Sequence, residues 1–369
     1  MRLRTLLNGL AVTIAATTAS AQAGPAASDF EAVVRKAGDA GVFSGSVLVA
    51  QGGSLIYSGT YGYADRAARI PVATDTKFLL ASVTKQFTAS MILRLVDAGK
   101  LSVEELLSAR LPGLPQAWKG VRVRHLLTHT SGIYDYLNSP DLDQIRYQDL
   151  KPSQIVDRFR AKPLNFTPGT QSSYSNSGFL LLGMLYEKLT GLSLHQAVTQ
   201  EILGPAGMTE SGFEPAENLP EPFATGYRKE ADGSWIVPPG MHPSILFGVG
   251  DLYATVGDLW RWNRLLTQGP LLTDATRAQM FTARLGGYGY GVRVNRWLGR
   301  REISHTGHVT GFSNFIGHYV DDDVCVVVLS NLINAPAMDI GRALARVQFE
   351  DGKAQVPDFK LVESSEMRE

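Results

Sequence analysis

Phe312-Ser-Asn-Phe-Ile-Gly-His-Tyr-Val320, Asp321-Asp322-Asp323 and Val324-Cys-Val-Val-Val-Leu329 form the stretch whose reading decides the fold. Two apolar, β-branched runs around three aspartates predict an antiparallel hairpin. Arg301-Glu-Ile-Ser304 predicts a further strand just ahead of it. Far upstream, Ser44-Gly-Ser-Val-Leu-Val-Ala50, Gln51-Gly-Gly53 and Ser54-Leu-Ile-Tyr-Ser58 repeat the pattern, predicting a second hairpin. Between these ends the apolar spacing turns helical. Ser82 to Asp97 predicts a helix that stops at Gly99, and Leu180 to Leu189 one that stops at Gly191. Val256 to Leu266 predicts a third, and Met338 to Val347 a closing helix that packs back on the sheet. Strands at both ends with helices between imply an α/β (α+β) chain. One antiparallel sheet is built from the N- and C-terminal segments, with a mainly helical lobe inserted. Pro112-Gly-Leu-Pro115 and Pro238-Pro-Gly240 break helices inside that lobe.

The 369 residues carry 35 Lys+Arg against 35 Asp+Glu, so no net field draws the chain to nucleic acid or acidic membrane. A 44% hydrophobic content supplies a core, and 19% charged residues are too few for a disordered chain. The lone Cys325 rules out a disulfide framework and a cysteine-based metal site. At the front, Arg2 and Arg4 precede an apolar run from Leu6 to Ala16 and then Ala19-Ser20-Ala21-Gln22-Ala23. A positive flank, a short apolar centre and small residues predict a secretory signal peptide over 1–23, cut after Ala21 or Ala23. As a helix that apolar run spans about 16 Å, roughly half a bilayer core, so no stable membrane anchor is expected. The expected location is periplasmic or secreted, and residues 24–369 are expected to form a single catalytic domain.

Ser82-Val-Thr-Lys85 opens the first long helix after the apolar Phe78-Leu-Leu80. Residues three apart share a helix face, so a hydroxyl nucleophile and an amine that removes its proton can meet there. Ser173-Tyr-Ser-Asn176 precedes the second helix, and His305-Thr-Gly307 ends a strand before the C-terminal hairpin. In this order the three elements resemble those of the serine penicillin-recognising hydrolases. The resemblance covers nearly the whole chain beyond residue 23 and leans to the class C β-lactamase and serine D-alanyl-D-alanine carboxypeptidase branch, where Tyr-x-Asn replaces Ser-x-Asn. Further matches are His125-Leu-Leu-Thr-His-Thr-Ser-Gly-Ile-Tyr-Asp-Tyr136, Gly248-Val-Gly250 with Tyr253-Ala-Thr255, and Tyr288-Gly-Tyr-Gly291.

The resemblance implies a β-lactamase/transpeptidase-like fold. Its sheet lobe would span about 28–80 plus 285–360, and its helical lobe about 81–284. It also implies acyl-enzyme hydrolysis without a cofactor or metal. Ser82 attacks a carbonyl, Lys85 and Tyr174 handle the proton, and Asn176, His305, Thr306, Gly307 and His308 bind substrate. The backbone N–H groups of Ser82 and His308 form the oxyanion hole. Which of Lys85 and Tyr174 accepts the proton stays open. His305 departs from the Lys-Thr-Gly of most β-lactamases; an imidazole offers a substrate carboxylate at most a weak, pH-dependent attraction. The expected activity is that of a D-alanyl-D-alanine carboxypeptidase-like peptidase or amidase. Its substrate would be a small molecule or peptide such as a peptidoglycan stem, with β-lactams as covalent ligands. A carboxylesterase or β-lactamase of the same family, and a non-catalytic penicillin- or muropeptide-binding protein, are the alternatives.

His125 and His129 stand four apart, but no Glu follows His125 as in H-E-x-x-H, so they are read as a structural loop and not as a metal pair. Gly287-Tyr-Gly-Tyr-Gly291 continues into a strand, which argues against a phosphate loop. Trp260 and Trp262 read as helix packing, and Cys325 as a small core residue.

Overall fold

The computed structural model describes residues 24–215 and 217–363. The expected signal peptide, 1–23, and the polar tail, 364–369, lie outside the described residues. Six strands make one antiparallel sheet: β1 (Gly45–Gln51), β2 (Ser54–Tyr61), β3 (Arg293–Trp297), β4 (Arg300–Val309), β5 (Phe312–Tyr319) and β6 (Val324–Ser330). Their order is β3-β4-β5-β6-β1-β2, so the two ends of the chain meet where β1 pairs with β6, from Gly45 opposite Ser330 to Gln51 opposite Val324.

Helices cover both faces, which is why β6 reads as an unbroken apolar run. Val324, Val326 and Val328 pack with Phe30, Val33, Ile340 and Leu344 of α1 (Ala27–Asp39) and α5 (Ala337–Phe349). Cys325, Val327 and Leu329 face the larger core shared with α2 (Thr84–Asp97), α3 (Asn176–Thr190) and α4 (Val256–Gln268). Alternate side chains of one strand thus serve two cores. α2 is buried from Thr84 to Leu93, the mark of a central helix rather than a surface one.

The structure adds two features to the sequence reading and corrects a third. Helix α1, absent from the periodicity reading, covers the outer face of the sheet. Phe78 and Leu79 join not the main sheet but a small one, pairing with Leu252–Ala254. The strand holding His305-Thr-Gly307 does not end there; β4 runs on to Val309, because β5 pairs with it through Val309 opposite Phe312.

That extension brings β4 against the turn before α2. A Cβ built on Gly307 would lie 2.2 Å from the Leu80 carbonyl oxygen and 3.2 Å from Ala81 Cβ, so only glycine permits the approach. Asn314 of β5 adds a hydrogen bond from Nδ2 to the Leu79 oxygen at 2.8 Å. Gly307→Ala is therefore expected to lower Tm and slow acylation together, at the ~1–3 kcal/mol typical of overpacking. Gly240→Ala, with open space around its Cβ, is the control that changes neither. Wild-type melting and acylation in Gly307→Ala would contradict this packing.

Candidate active site

Ser82 sits in a tight 3-10 turn, Ala81–Val83, that feeds directly into α2. Ala81 adopts φ +50°, the left-handed region costly to any residue with a Cβ, so the turn that presents Ser82 is strained. The cap positions of this turn and of α2 are Leu80 and Val83, so Ser82 does not hold the ordinary helix-cap position.

One turn later, Lys85 is fully buried. Its ammonium donates to Ser82 Oγ at 3.0 Å, Asn176 Oδ1 at 2.8 Å and the Val249 carbonyl at 3.0 Å. Three donors thus meet three acceptors, from α2, the start of α3 and the loop before Leu252. Burial lowers the Lys85 pKa from 10.5 to about 7, against the opposing pull of the Asp135 and Asp251 carboxylates. The charged form is disfavoured by about 5 kcal/mol relative to water. Near neutral pH the amine is free for about half the time, and it already lies within hydrogen-bond reach of the serine hydroxyl.

Tyr174 precedes α3 by two residues, and its ring lies 4.9 Å from Lys85 Nζ. Its hydroxyl is buried with no hydrogen bond of standard geometry, though Ser82 is close enough to oppose the rise in its pKa. Burial dominates and pushes the phenol well above its ordinary value. Burial thus acts oppositely on the two groups, easing loss of the Lys85 proton and opposing loss of the Tyr174 proton.

Asn176 holds Lys85 through its oxygen, and its Nδ2 donates to Asp135 Oδ2 at 2.9 Å. Ser82, Tyr174, Asn176, His305, Thr306 and His308 line one cleft of about 620 Å³. β3 covers β4 only as far as Arg293 opposite Ser304, leaving the Thr306–His308 edge without a strand on that side among the described residues.

The sequence gives His305 at most a weak, pH-dependent attraction for a carboxylate, and its surroundings reduce even that. Its Nδ1 lies 2.6 Å from the Thr306 carbonyl, which can only accept, so Nδ1 carries the proton and Nε2 accepts from the Tyr288 hydroxyl. Burial, with Lys85 nearby, lowers its pKa to about 3. Burial likewise takes His308 to about 4. Neither ring is a cation near neutrality.

A family profile described as Beta-lactamase matches residues 30–349. The chain belongs to the β-lactamase family. Penicillin-binding protein 4* of Bacillus subtilis is 32% identical over 309 residues, covering 78% of this chain and 68% of that one. Esterase EstB of Burkholderia gladioli is 32% identical over 68% of this chain and 72% of its own. The solved penicillin-binding protein from Bacillus halodurans superposes with a TM-score of 0.76 at 30% identity, covering 85% of this chain and 98% of that one. As a member of the β-lactamase family the chain is a serine hydrolase.

The sequence reading overlooked four groups. Asp135 lay inside a quoted motif without a role, and Asp251 beside the quoted Gly248-Val-Gly250. The Val249 carbonyl is invisible to side-chain patterns. Arg293 lines the cleft as its single permanent cation, and no hydrogen bond or ion pair engages it among the described residues. For Arg293 the signal was available: an arginine at the start of a predicted strand next to a Tyr-x-Tyr turn.

Because the Asp135 carboxylate raises the Lys85 pKa, removing its charge lowers it further. Asp135→Asn should move the acidic limb of the acylation rate to lower pH, read with a fluorophosphonate and intact-mass detection. A limb that stays or moves to higher pH would contradict the electrostatics described.

Proposed function

We propose that this chain is an exported serine peptidase that cleaves D-amino-acid peptides ending in a free carboxylate, as in a peptidoglycan stem. The observation that carries the reading is Arg293, a guanidinium with no ion pair or hydrogen bond among the described residues, in the same cleft as Ser82. Guanidinium and carboxylate match in a two-point, charge-assisted contact. With His305 and His308 held neutral by burial, Arg293 is the group that can anchor a peptide C-terminus. An ester of a simple acid asks nothing of it.

In the first half-reaction Lys85 takes the Ser82 proton, and Ser82 Oγ attacks the carbonyl carbon. The resulting oxyanion faces the backbone N–H groups of Ser82 and His308, each worth ~3–4 kcal/mol in such a site. When the C–N bond breaks, the Tyr174 hydroxyl gives its proton to the leaving amine and recovers one from the Lys85 ammonium. Water then repeats the sequence on the acyl-enzyme, and Ser82 regains its proton. Asn176 holds the amine, while Thr306 and the close-packed Gly307 keep the strand edge open to the substrate backbone.

Relatives bear on the substrate. A D-aminopeptidase of Gluconobacter oxydans is 29% identical over 82% of this chain and 58% of its own length. A D-stereospecific amidohydrolase from Streptomyces superposes with a TM-score of 0.76 at 26% identity, covering 88% of this chain and 99% of that one. Both names support D-configured amide substrates. Export rests on the leader read over 1–23, and no helix among the described residues is long and apolar enough to cross a membrane.

The test is release of D-alanine from an acyl-D-Ala-D-Ala peptide, set against hydrolysis of p-nitrophenyl butyrate. Turnover of the ester alone sinks the peptidase reading. Arg293→Gln should reduce kcat/KM for the peptide about 10–100-fold, the worth of a hydrogen bond to a charged group, while the ester changes little. Equal losses on both substrates would remove Arg293 from substrate recognition. Ser82→Ala should abolish the covalent adduct with a fluorophosphonate; persistent full labelling would identify another nucleophile.

A further inference from the structure

His129 belongs to the histidine pair that the sequence reading set aside as structural. It is buried, and its φ of +55° lies in the left-handed region. Such a backbone is costly for a residue with a Cβ, so its surroundings hold it there. Those surroundings are the segment that carries Tyr174. The His129 carbonyl accepts the Ser173 N–H at 2.9 Å, and its Nδ1 accepts the Ser175 N–H at 3.1 Å. One residue therefore grips the chain on both sides of Tyr174. Its ring also packs on the Tyr174 ring, with centroids 4.2 Å apart and planes tilted by 34°.

The contacts continue to the opposite wall of the site. His129 meets Tyr288 edge to face at 4.5 Å, and the Tyr288 hydroxyl donates to His305 Nε2. His305 in turn donates to the Thr306 carbonyl on β4. Because Nδ1 of His129 accepts a backbone N–H, the proton of its neutral ring sits on Nε2, which has no hydrogen-bond partner. Burial comes first, and then Lys85, His305 and Arg293 push its pKa well down. Tyr174, Tyr288 and Phe179 complete the cage.

We propose that His129 is a positioning residue for the proton relay: its backbone and ring set the Tyr174 hydroxyl against Ser82 and tie it to strand β4. This rests on the role given to Tyr174 in the preceding reading. Neutrality is part of the device, since a second cation beside Lys85 would change when the amine loses its proton.

The experiment is a double-mutant cycle on the acylation of Ser82 by an acyl-D-Ala-D-Ala peptide, whose leaving amine takes the Tyr174 proton, read as single-turnover release of D-alanine. Asn at position 129 tolerates the left-handed backbone and offers a carbonyl to Ser175, but it lacks the ring. His129→Asn should slow acylation about 10–100-fold, yet change it less than about threefold when Tyr174 is already Phe. The pH midpoint of the remaining rate should stay where the wild type has it. A wild-type rate in His129→Asn, the same slowing in both backgrounds, or a displaced midpoint each overturns the proposal. A wild-type rate in Tyr174→Phe overturns the preceding reading as well, so the two failures are told apart. His129→Phe, which keeps a ring and loses the acceptor, serves if the Asn protein does not fold. Nitrogen-15 NMR of the wild-type histidines adds a readout that needs no variant. The Nε2–H tautomer of His129 should persist from pH 5 to 9, and a ring that titrates in that range would overturn the proposal.

Discussion

A lysine amine sealed from water and held by three acceptors is the constraint on which the rest of this site depends. An ammonium at Lys85 loses its hydration entirely, and the Ser82 hydroxyl, the Asn176 amide and the Val249 carbonyl replace it. Two carboxylates, Asp135 and Asp251, offset part of the burial cost. Without them the amine would lose its proton more readily still; with less burial it would stay charged and useless as a base. Asp135 reaches it through Asn176. Asp251 is fixed in turn by His195 at 2.7 Å, and lies two residues beyond the Val249 carbonyl. The balance is a property of several chain segments, which explains why the central helix carrying Lys85 is packed on all sides.

The sheet supplies the other half. Its strands are flanked by two cores, so the position of β4 is set by rigid packing rather than by loops. Backbone contact at Gly307 and the Asn314 bond to Leu79 lock that strand to the turn presenting Ser82. Ser82, the proposed nucleophile, and the strand edge beside it are therefore placed by the same contact. The strained Ala81 conformation sits in close packing, approached by Gly307 of β4 and by Gly250.

Much of this was legible in the chain before any coordinates. Period-two and period-3.6 patterns marked five of the six main strands, β3 being seen only as a continuation of the Tyr288–Gly291 turn. They also marked four of the five long helices, α1 being the omission. Ser82 and Lys85 could be paired because three residues along a helix is a local relation. The groups that tune the pair were harder to see. Asn176 lies 91 residues from Lys85 and Val249 lies 164 away, and no local pattern encodes such distances. His305 was read as a mostly neutral imidazole with at most a pH-dependent attraction for a carboxylate; the two hydrogen bonds and the burial that hold it neutral needed the fold. His129 was read as part of a structural loop, and its grip on both flanks of Tyr174 needed the fold to bring residue 129 beside residues 173 and 175.

The most direct measurement is the titration of Lys85 itself, by NMR of protein labelled with carbon-13 at the lysine ε-carbons. The resonance lost in Lys85→Arg identifies the residue. A midpoint close to pH 7, far from those of the surface lysines, is the predicted outcome. A Lys85 signal that moves only above pH 9 would mean that the amine keeps its proton through the working range, and the account would fall.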